Sequence, residues 1–167
     1  MTEGYGQAVK TIEICISSQT LRVKSGHRVV KSYPVSTARN GPGEKQDSEC
    51  TPRGIHVIAQ KIGAGCKPNT VFVGRQPTGE IFNPGLRQQF PDRDWIITRI
   101  LWLKGCEPGL NQGGDVDTYQ RYIYIHGAPD DVPMGRPGSR GCIRLCNQDM
   151  IELFDMSEVG MKVSVVE

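Results

Sequence analysis

The residues with the most chemistry to offer lie between Tyr122 and Asn147. There His126-Gly127 precedes a proline-rich loop, and the chain then reads Ser139-Arg140-Gly141-Cys142-Ile143-Arg144. A thiol becomes a strong nucleophile when an imidazole or a cation beside it favours the thiolate, and acyl transfer then needs donors aimed at the developing oxyanion. In this reading His126 takes the Cys142 proton and later returns it to a leaving amine. Gly141 lets the backbone approach a substrate carbonyl closely, so the N–H groups around Gly141 and Cys142 are the expected oxyanion hole. A plainer reading stays open, because free cysteine is among the most buried residue types and a strand histidine is often a satisfied polar group. His126, Cys142 and Cys146 also offer three metal ligands, but their spacing matches no established zinc pattern.

Arg121 to His126 is the cleanest alternation in the chain, with Tyr122, Tyr124 and His126 on one strand face and Ile123 and Ile125 on the other. Near the start, Ile12, Ile14 and Ile16 alternate with Thr11, Glu13 and Cys15 as in a half-buried strand. Leu21, Val23 and then Val29 to Val35 continue the pattern across a Ser25-Gly26-His27 hairpin turn. Thr37 to Thr51 reads as a polar loop, and Gly54 to Lys61 as a strand holding His56. Asn69 to Arg93, with Pro77, Gly79, Pro84, Gly85 and Pro91, reads as a long excursion with little regular structure. It is a candidate lid, with Arg75, Arg87 and Arg93 available to acidic substrate groups. Trp95 to Leu103 is apolar enough for a central strand, and Trp102 is assigned to the core. Asn147 is read as the N-cap of a short helix through Asp155, followed by a last strand, Met161 to Val166.

The chain has 167 residues, the size of one domain spanning 1–167, and its 20 glycines and 11 prolines favour turns and strands over long helices. The expected fold is mostly β, a sandwich or meander with one short helix near the C-terminus. Twenty basic against 18 acidic side chains leave a net charge of +2, with no block of one sign, which argues against nucleic acid and membrane surface as partners. No apolar run approaches the roughly 18 residues of a membrane span. The opening Met-Thr-Glu-Gly-Tyr-Gly-Gln lacks a basic, greasy leader, so a cytoplasmic location is expected. Six scattered cysteines without a Cys-X-X-Cys pair fit reduced thiols.

Ile125-His126-Gly127, the loop, and Ser139-X-Gly141-Cys142-Ile143-Arg144, with Pro34-Val35-Ser36-Thr37 and Thr51-Pro52-X-Gly54 upstream, resemble the L,D-transpeptidase catalytic domain of the YkuD type. The resemblance runs from about Ile12 to Val165. It implies a mostly β fold and a cysteine nucleophile that attacks the L,D peptide bond of peptidoglycan stem peptides. By the same resemblance Cys142 is the nucleophile, His126 the general base, and the Gly127 carbonyl the group that orients the imidazole. Arg144 matches the arginine after the nucleophile, and Ser139 and Gly141 the small residues shaping its turn. No cofactor is implied, and acylation of Cys142 by carbapenems is.

Arg140 departs from the pattern, since transpeptidase members usually carry a second histidine there. Arginine stays protonated and presents a planar fork suited to carboxylates. It is expected either to favour the Cys142 thiolate and hold the terminal carboxylate of a tetrapeptide, or to point away to a surface acid. Tyr124, on the His126 face, is expected to line the cleft. Both candidate reactions expel D-alanine to leave a thioester and differ in whether water or an amine attacks next. Arg140 and the leaderless start favour a cytoplasmic L,D-carboxypeptidase acting on soluble muropeptides. The alternatives are an L,D-transpeptidase that forms crosslinks or exchanges D-amino acids, and a peptidoglycan-fragment binder without turnover.

Overall fold

The computed structural model describes residues 8–167. The opening heptapeptide, on which the expectation of a leaderless start rests, lies outside the described residues. Strands β1 (Lys10–Cys15), β2 (Thr20–Ser25) and β3 (Arg28–Pro34) form the antiparallel meander that the alternating isoleucines predict. Ile12, Ile14, Leu21 and Val23 are buried on its inner face, and Gly26 turns the hairpin at a φ of 60°. The remaining strands are β4 (Gly54–Ile62), β5 (Thr70–Val73), β6 (Gln76–Ile81), β7 (Ile96–Gly105), β8 (Tyr124–Ala128), β9 (Ile143–Cys146) and β10 (Lys162–Val166). The helices are α1 (Pro84–Gln89) and α2 (Asn147–Met156).

All ten strands join one curled sheet in the order β3-β2-β1-β10-β4-β7-β5-β6, with β8 pairing to β7 and β9 to β8. β10 enters between β1, to which it is parallel, and β4, to which it is antiparallel. Curling brings Ile14, Leu21 and Val165 into one core with Ile125, Leu145 and the α2 residues Met150 and Leu153. Each such side chain contributes about 1.5–3 kcal/mol by leaving water. The fold is thus mostly β, as expected, with α2 near the C-terminus. Among the described residues no helix is long and apolar enough to cross a membrane.

Three local expectations are corrected. Residues 69–93 are not largely irregular: they form the β5–β6 hairpin and α1. Gly74 and Arg75 both take positive φ, 56° and 66°, as a tight two-residue hairpin turn requires. Asn83 then caps α1 by accepting from the Leu86 N–H at 3.0 Å, with Pro84 in the first turn. The strand expected from Arg121 begins only at Tyr124, because Arg121 and Tyr122 complete a turn on Asp117 and Tyr119, with Tyr122 at a φ of 57°. Cys146, not Asn147, is the N-cap of α2, and the Asn147 side chain turns inward to Thr98 and Asn69. Trp102 is core, as expected, stacked on Tyr119 with ring centroids 4.0 Å apart.

The strand that faces the predicted site is itself irregular. β7 pairs Ile97 with Gly127 and then Ile100 with His126, so Thr98 and Arg99 bulge out of the ladder. Thr98 holds a φ of 77°, an arrangement that costs a β-branched residue about 1–3 kcal/mol.

Candidate active site

β8 carries His126 into the interior, where the side chain is 1% exposed. Its Nδ1 lies 2.7 Å from the Gly127 carbonyl oxygen. A carbonyl only accepts, so Nδ1 bears the proton and Nε2 keeps a free lone pair, the tautomer a general base needs. Gly127 is required at its position: a Cβ there would lie 2.6 Å from the Ile97 carbonyl oxygen and 2.8 Å from Asn147 Oδ1.

The parallel β8–β9 register matches Ile125 to Ile143 and His126 to Arg144, which sets Cys142, one residue before β9, beside Tyr124. The Tyr124 N–H donates to Cys142 Sγ at 3.3 Å, and the thiol donates to the Tyr122 carbonyl at 3.5 Å. The turn before the cysteine is closed by side chains. Ser139 Oγ donates to the Cys142 carbonyl at 2.5 Å and accepts from the Gly141 N–H at 3.2 Å. Thr51 Oγ1 donates to the Gly141 carbonyl at 2.9 Å, which ties the Thr51-Pro52 segment to this turn. Gly141 sits at a φ of 130°, in the range that favours glycine. Its N–H, expected to be an oxyanion donor, is therefore already engaged by Ser139.

Cys142, His126, Ser139, Arg140 and Tyr124 line one cavity of about 650 Å³. Arg144 does not. It stands on an adjoining polar cavity of about 330 Å³, with its Nη2 3.1 Å from Ser36 Oγ. Of the three candidate lid arginines, Arg75 and Arg93 reach the main cavity, whereas Arg87 turns to Asp131. Two wall residues had no sequence signal. Asp94 arrives from the segment before β7, and Arg121 from the turn before β8, held there by the Cys50 and Glu44 carbonyls at 2.8 and 3.1 Å.

Burial pushes the Cys142 thiol up to about 12 and Asp94 adds to the rise, while the Tyr124 N–H, Arg121 and Arg144 only partly offset it. Burial also holds His126 below the ordinary imidazole range, against the opposing pull of Asp94 and the Gly127 carbonyl. The resting pair is therefore neutral thiol and neutral imidazole. The cations that favour the thiolate most are Arg121 and Arg144. Arg140 is exposed at the cavity wall, and its Nη2 donates to the Asp92 carbonyl at 3.1 Å. Among the described residues no group of three or more His, Cys, Asp or Glu is placed to hold a metal ion.

A curled β-sheet that sets a cysteine and a tautomerically fixed histidine on one cavity defines a class of protein, the cysteine acyl-transfer domains. Residues 9–165 match the model of the YkuD family, the L,D-transpeptidase catalytic domain, and the chain belongs to that family. It is 27% identical over 154 residues to the L,D-transpeptidase YkuD so named in Bacillus licheniformis, covering 92% of this chain and 64% of that protein. A Fuscovulum blasticum protein named for L,D-transpeptidase in the ATP synthase subunits region is 29% identical over 119 residues, covering 71% of this chain and 52% of its own. The chain thus spans less than two thirds of the length of these relatives. Among solved structures, residues 123–326 of an L,D-transpeptidase from Xylanimonas cellulosilytica share the fold with a TM-score of 0.55 at 18% identity, covering 96% of this chain and 62% of that one. L,D-transpeptidase 3 from Mycobacterium tuberculosis, in complex with a faropenem-derived adduct, gives 0.57 at 20% identity, covering 97% and 61%.

Proposed function

We propose that residues 1–167 act as one catalytic domain that cleaves the L,D peptide bond of peptidoglycan stem peptides through a Cys142 thioester, with water as the second nucleophile. The observation that carries this reading is the convergence of Cys142, His126 with its free Nε2, and Arg140 on one cavity. His126 Nε2 accepts the thiol proton as Sγ attacks the carbonyl carbon. With the Gly141 N–H bonded to Ser139, the Cys142 N–H is the donor at this turn that meets the oxyanion. Collapse breaks the C–N bond, and the imidazolium protonates the departing D-alanine amine. His126 then takes a proton from water, which attacks the thioester and releases tripeptide and thiol.

Arg140 supports the choice of water. Its guanidinium, exposed at the cavity wall, offers a planar pair of donors to the terminal carboxylate of a tetrapeptide, and Arg75 and Arg121 on the same cavity disfavour a cationic amine acceptor. Arg144, on the neighbouring cavity, reaches a more remote substrate carboxylate, and Tyr124 forms part of the wall. This reading assigns soluble muropeptides as substrates and their recycling in the cytoplasm as the setting. Membership of the family favours a second reading, amine transfer to form crosslinks or exchange D-amino acids.

Mass spectrometry of products from a soluble murein tetrapeptide, with and without a diaminopimelate-containing acceptor, separates the two. Tripeptide plus D-alanine, unchanged by acceptor, is the expected result. A crosslinked or exchanged product would replace hydrolysis by transfer, and an unchanged tetrapeptide would leave a binding domain.

A further inference from the structure

Behind the Gly127 carbonyl that fixes His126 lies a closed set of buried and half-buried polar side chains that the reaction itself does not use. Thr98 Oγ1 donates to Asn147 Oδ1 at 2.5 Å, Asn147 Nδ2 donates to Asn69 Oδ1 at 2.6 Å, and the Asn69 N–H donates back to Thr98 Oγ1 at 3.0 Å. Three elements distant in sequence meet here: the segment before β5, the β7 bulge and the first residue of α2. Thr98 is fully buried and Asn147 nearly so. Both Thr98 and Asn69 hold positive φ, 77° and 71°, conformations that a threonine keeps only under constraint. Arg99, buried beside them, donates to the Thr98 and Cys66 carbonyls at 2.7 and 2.8 Å and holds the bulge from its other side.

This set bears on Gly127 at contact distance. A Cβ on Gly127 would stand 2.8 Å from Asn147 Oδ1 and 3.0 Å from Thr98 Cβ, so these groups pack against the bare Cα of Gly127 and admit no side chain there. The next atoms along the chain are the Gly127 carbonyl, which accepts from His126 Nδ1. A regular ladder would place a β7 residue opposite each β8 residue and would not present a hydroxyl at this point.

We propose that Thr98, Asn147 and Asn69 are positioning residues for His126: they fix the Gly127 peptide, and through its carbonyl they select the Nδ1–H tautomer and aim Nε2 into the cavity. This rests on His126 being the general base, and the test separates the two claims. Thr98→Val keeps the β-branched shape but removes the hydroxyl, Thr98→Ser keeps the hydroxyl, and Asn147→Ala removes both amide contacts. Each is read by kcat and KM for the tetrapeptide, by thermal unfolding, and by ¹⁵N NMR of the His126 ring, which needs no turnover.

Thr98→Val and Asn147→Ala are expected to lower kcat by about 10–100-fold with KM changed less than about threefold, the scale of lost support behind a reacting group. The Nε2–H tautomer should appear in both, and Thr98→Ser should return kcat to within about threefold of the parent. A fall in melting temperature with unchanged kcat and unchanged tautomer would reduce the set to packing and overturn the proposal. If His126→Ala stays active, the general-base reading fails, while the tautomer shift in Thr98→Val still decides whether the network positions the ring. Should both variants fail to fold, Asn69→Gly, which removes the acceptor of Asn147 Nδ2 and tolerates the positive φ, takes their place: an Nε2–H tautomer with lowered kcat would support the proposal, and a parental spectrum with parental kcat would overturn it.

Discussion

Arg75, at the tip of the β5–β6 hairpin, donates from Nη1 to the Tyr124 hydroxyl at 3.2 Å. Its guanidinium also lies 4.7 Å from the centroid of Trp102 and 4.8 Å from that of Tyr122. The hairpin is thereby fastened to the aromatic side of the cavity by one hydrogen bond and two cation–π contacts, the latter contributing about 0.5–2 kcal/mol each. Arg75→Ala should loosen this cover and remove a charge from the wall. The expected outcome is a rise in KM for tetrapeptide of about tenfold with kcat little changed, the signature of lost uniform binding. Steady-state kinetics check it, and an unaltered KM would show that the hairpin tip takes no part in holding substrate.

Cys142 rests as a neutral thiol, since burial pushes it up to about 12, and His126 sits low for the same reason. Below that value the thiolate fraction grows about tenfold for each unit of pH. Alkylation of Cys142 by iodoacetamide should therefore keep climbing from about pH 7 to about pH 10 without levelling. A rate already flat at neutral pH would reveal a standing thiolate–imidazolium pair and contradict the neutral resting state.

Acylation offers a check on the nucleophile that does not require the natural substrate. Incubation with a carbapenem such as imipenem should add one drug mass to the intact protein, with peptide mapping placing it on Cys142. Cys142→Ala should abolish both the adduct and turnover of tetrapeptide. Residual turnover in that variant would rule out the thioester route.

Much of this site is readable in the sequence because its chemistry is local. His126, Gly127 and Cys142 lie within one strand–loop–strand passage, and the alternation of Tyr124 and His126 already puts two cavity residues on one side, while Tyr122 reaches the cavity from the turn before the strand. Asp94 and Arg121 were invisible because their place depends on the β7–β8 register and on the Tyr122 turn, neither of which follows from side-chain type. The β5–β6 hairpin is illegible in the sequence for a different reason: β6 is almost wholly exposed and has no apolar alternation to signal it. Asn147 has the composition of a helix cap, but the buried hydroxyl of Thr98, 49 residues away, competes for its side chain.

Stability should depend on acid through a histidine outside the cavity. His56 is fully buried, with its ring nitrogens 3.0 Å from the Gly54 carbonyl and 3.0 Å from Thr118 Oγ1, and burial lowers it from 6.5 to about 4. Across that interval the unfolded chain binds a proton that the folded one refuses, so the stability present above pH 6.5 drains away as pH falls toward 4, by about 3 kcal/mol at most. His126, also lowered by burial, adds in the same direction. Urea midpoints at pH 7 and pH 4.5 should fall accordingly, and His56→Gln should flatten the slope. Equal midpoints at both values in the parent protein would show that His56 is not held neutral.

The insertion of β10 between β1 and β4 has a consequence for biosynthesis. Ile12 pairs with Val163 and Ile14 with Val165, so neighbouring strands of one sheet come from opposite ends of the domain. A ribosome delivers the chain from the N-terminal end at about 5–20 residues per second, and strands β1 to β9 emerge before the one that joins them. Until Lys162–Val166 leaves the ribosome, β1 and β4 each present an unpaired edge toward the same gap, and the nascent domain remains two part-sheets that any other extended peptide, or a chaperone, is free to bridge.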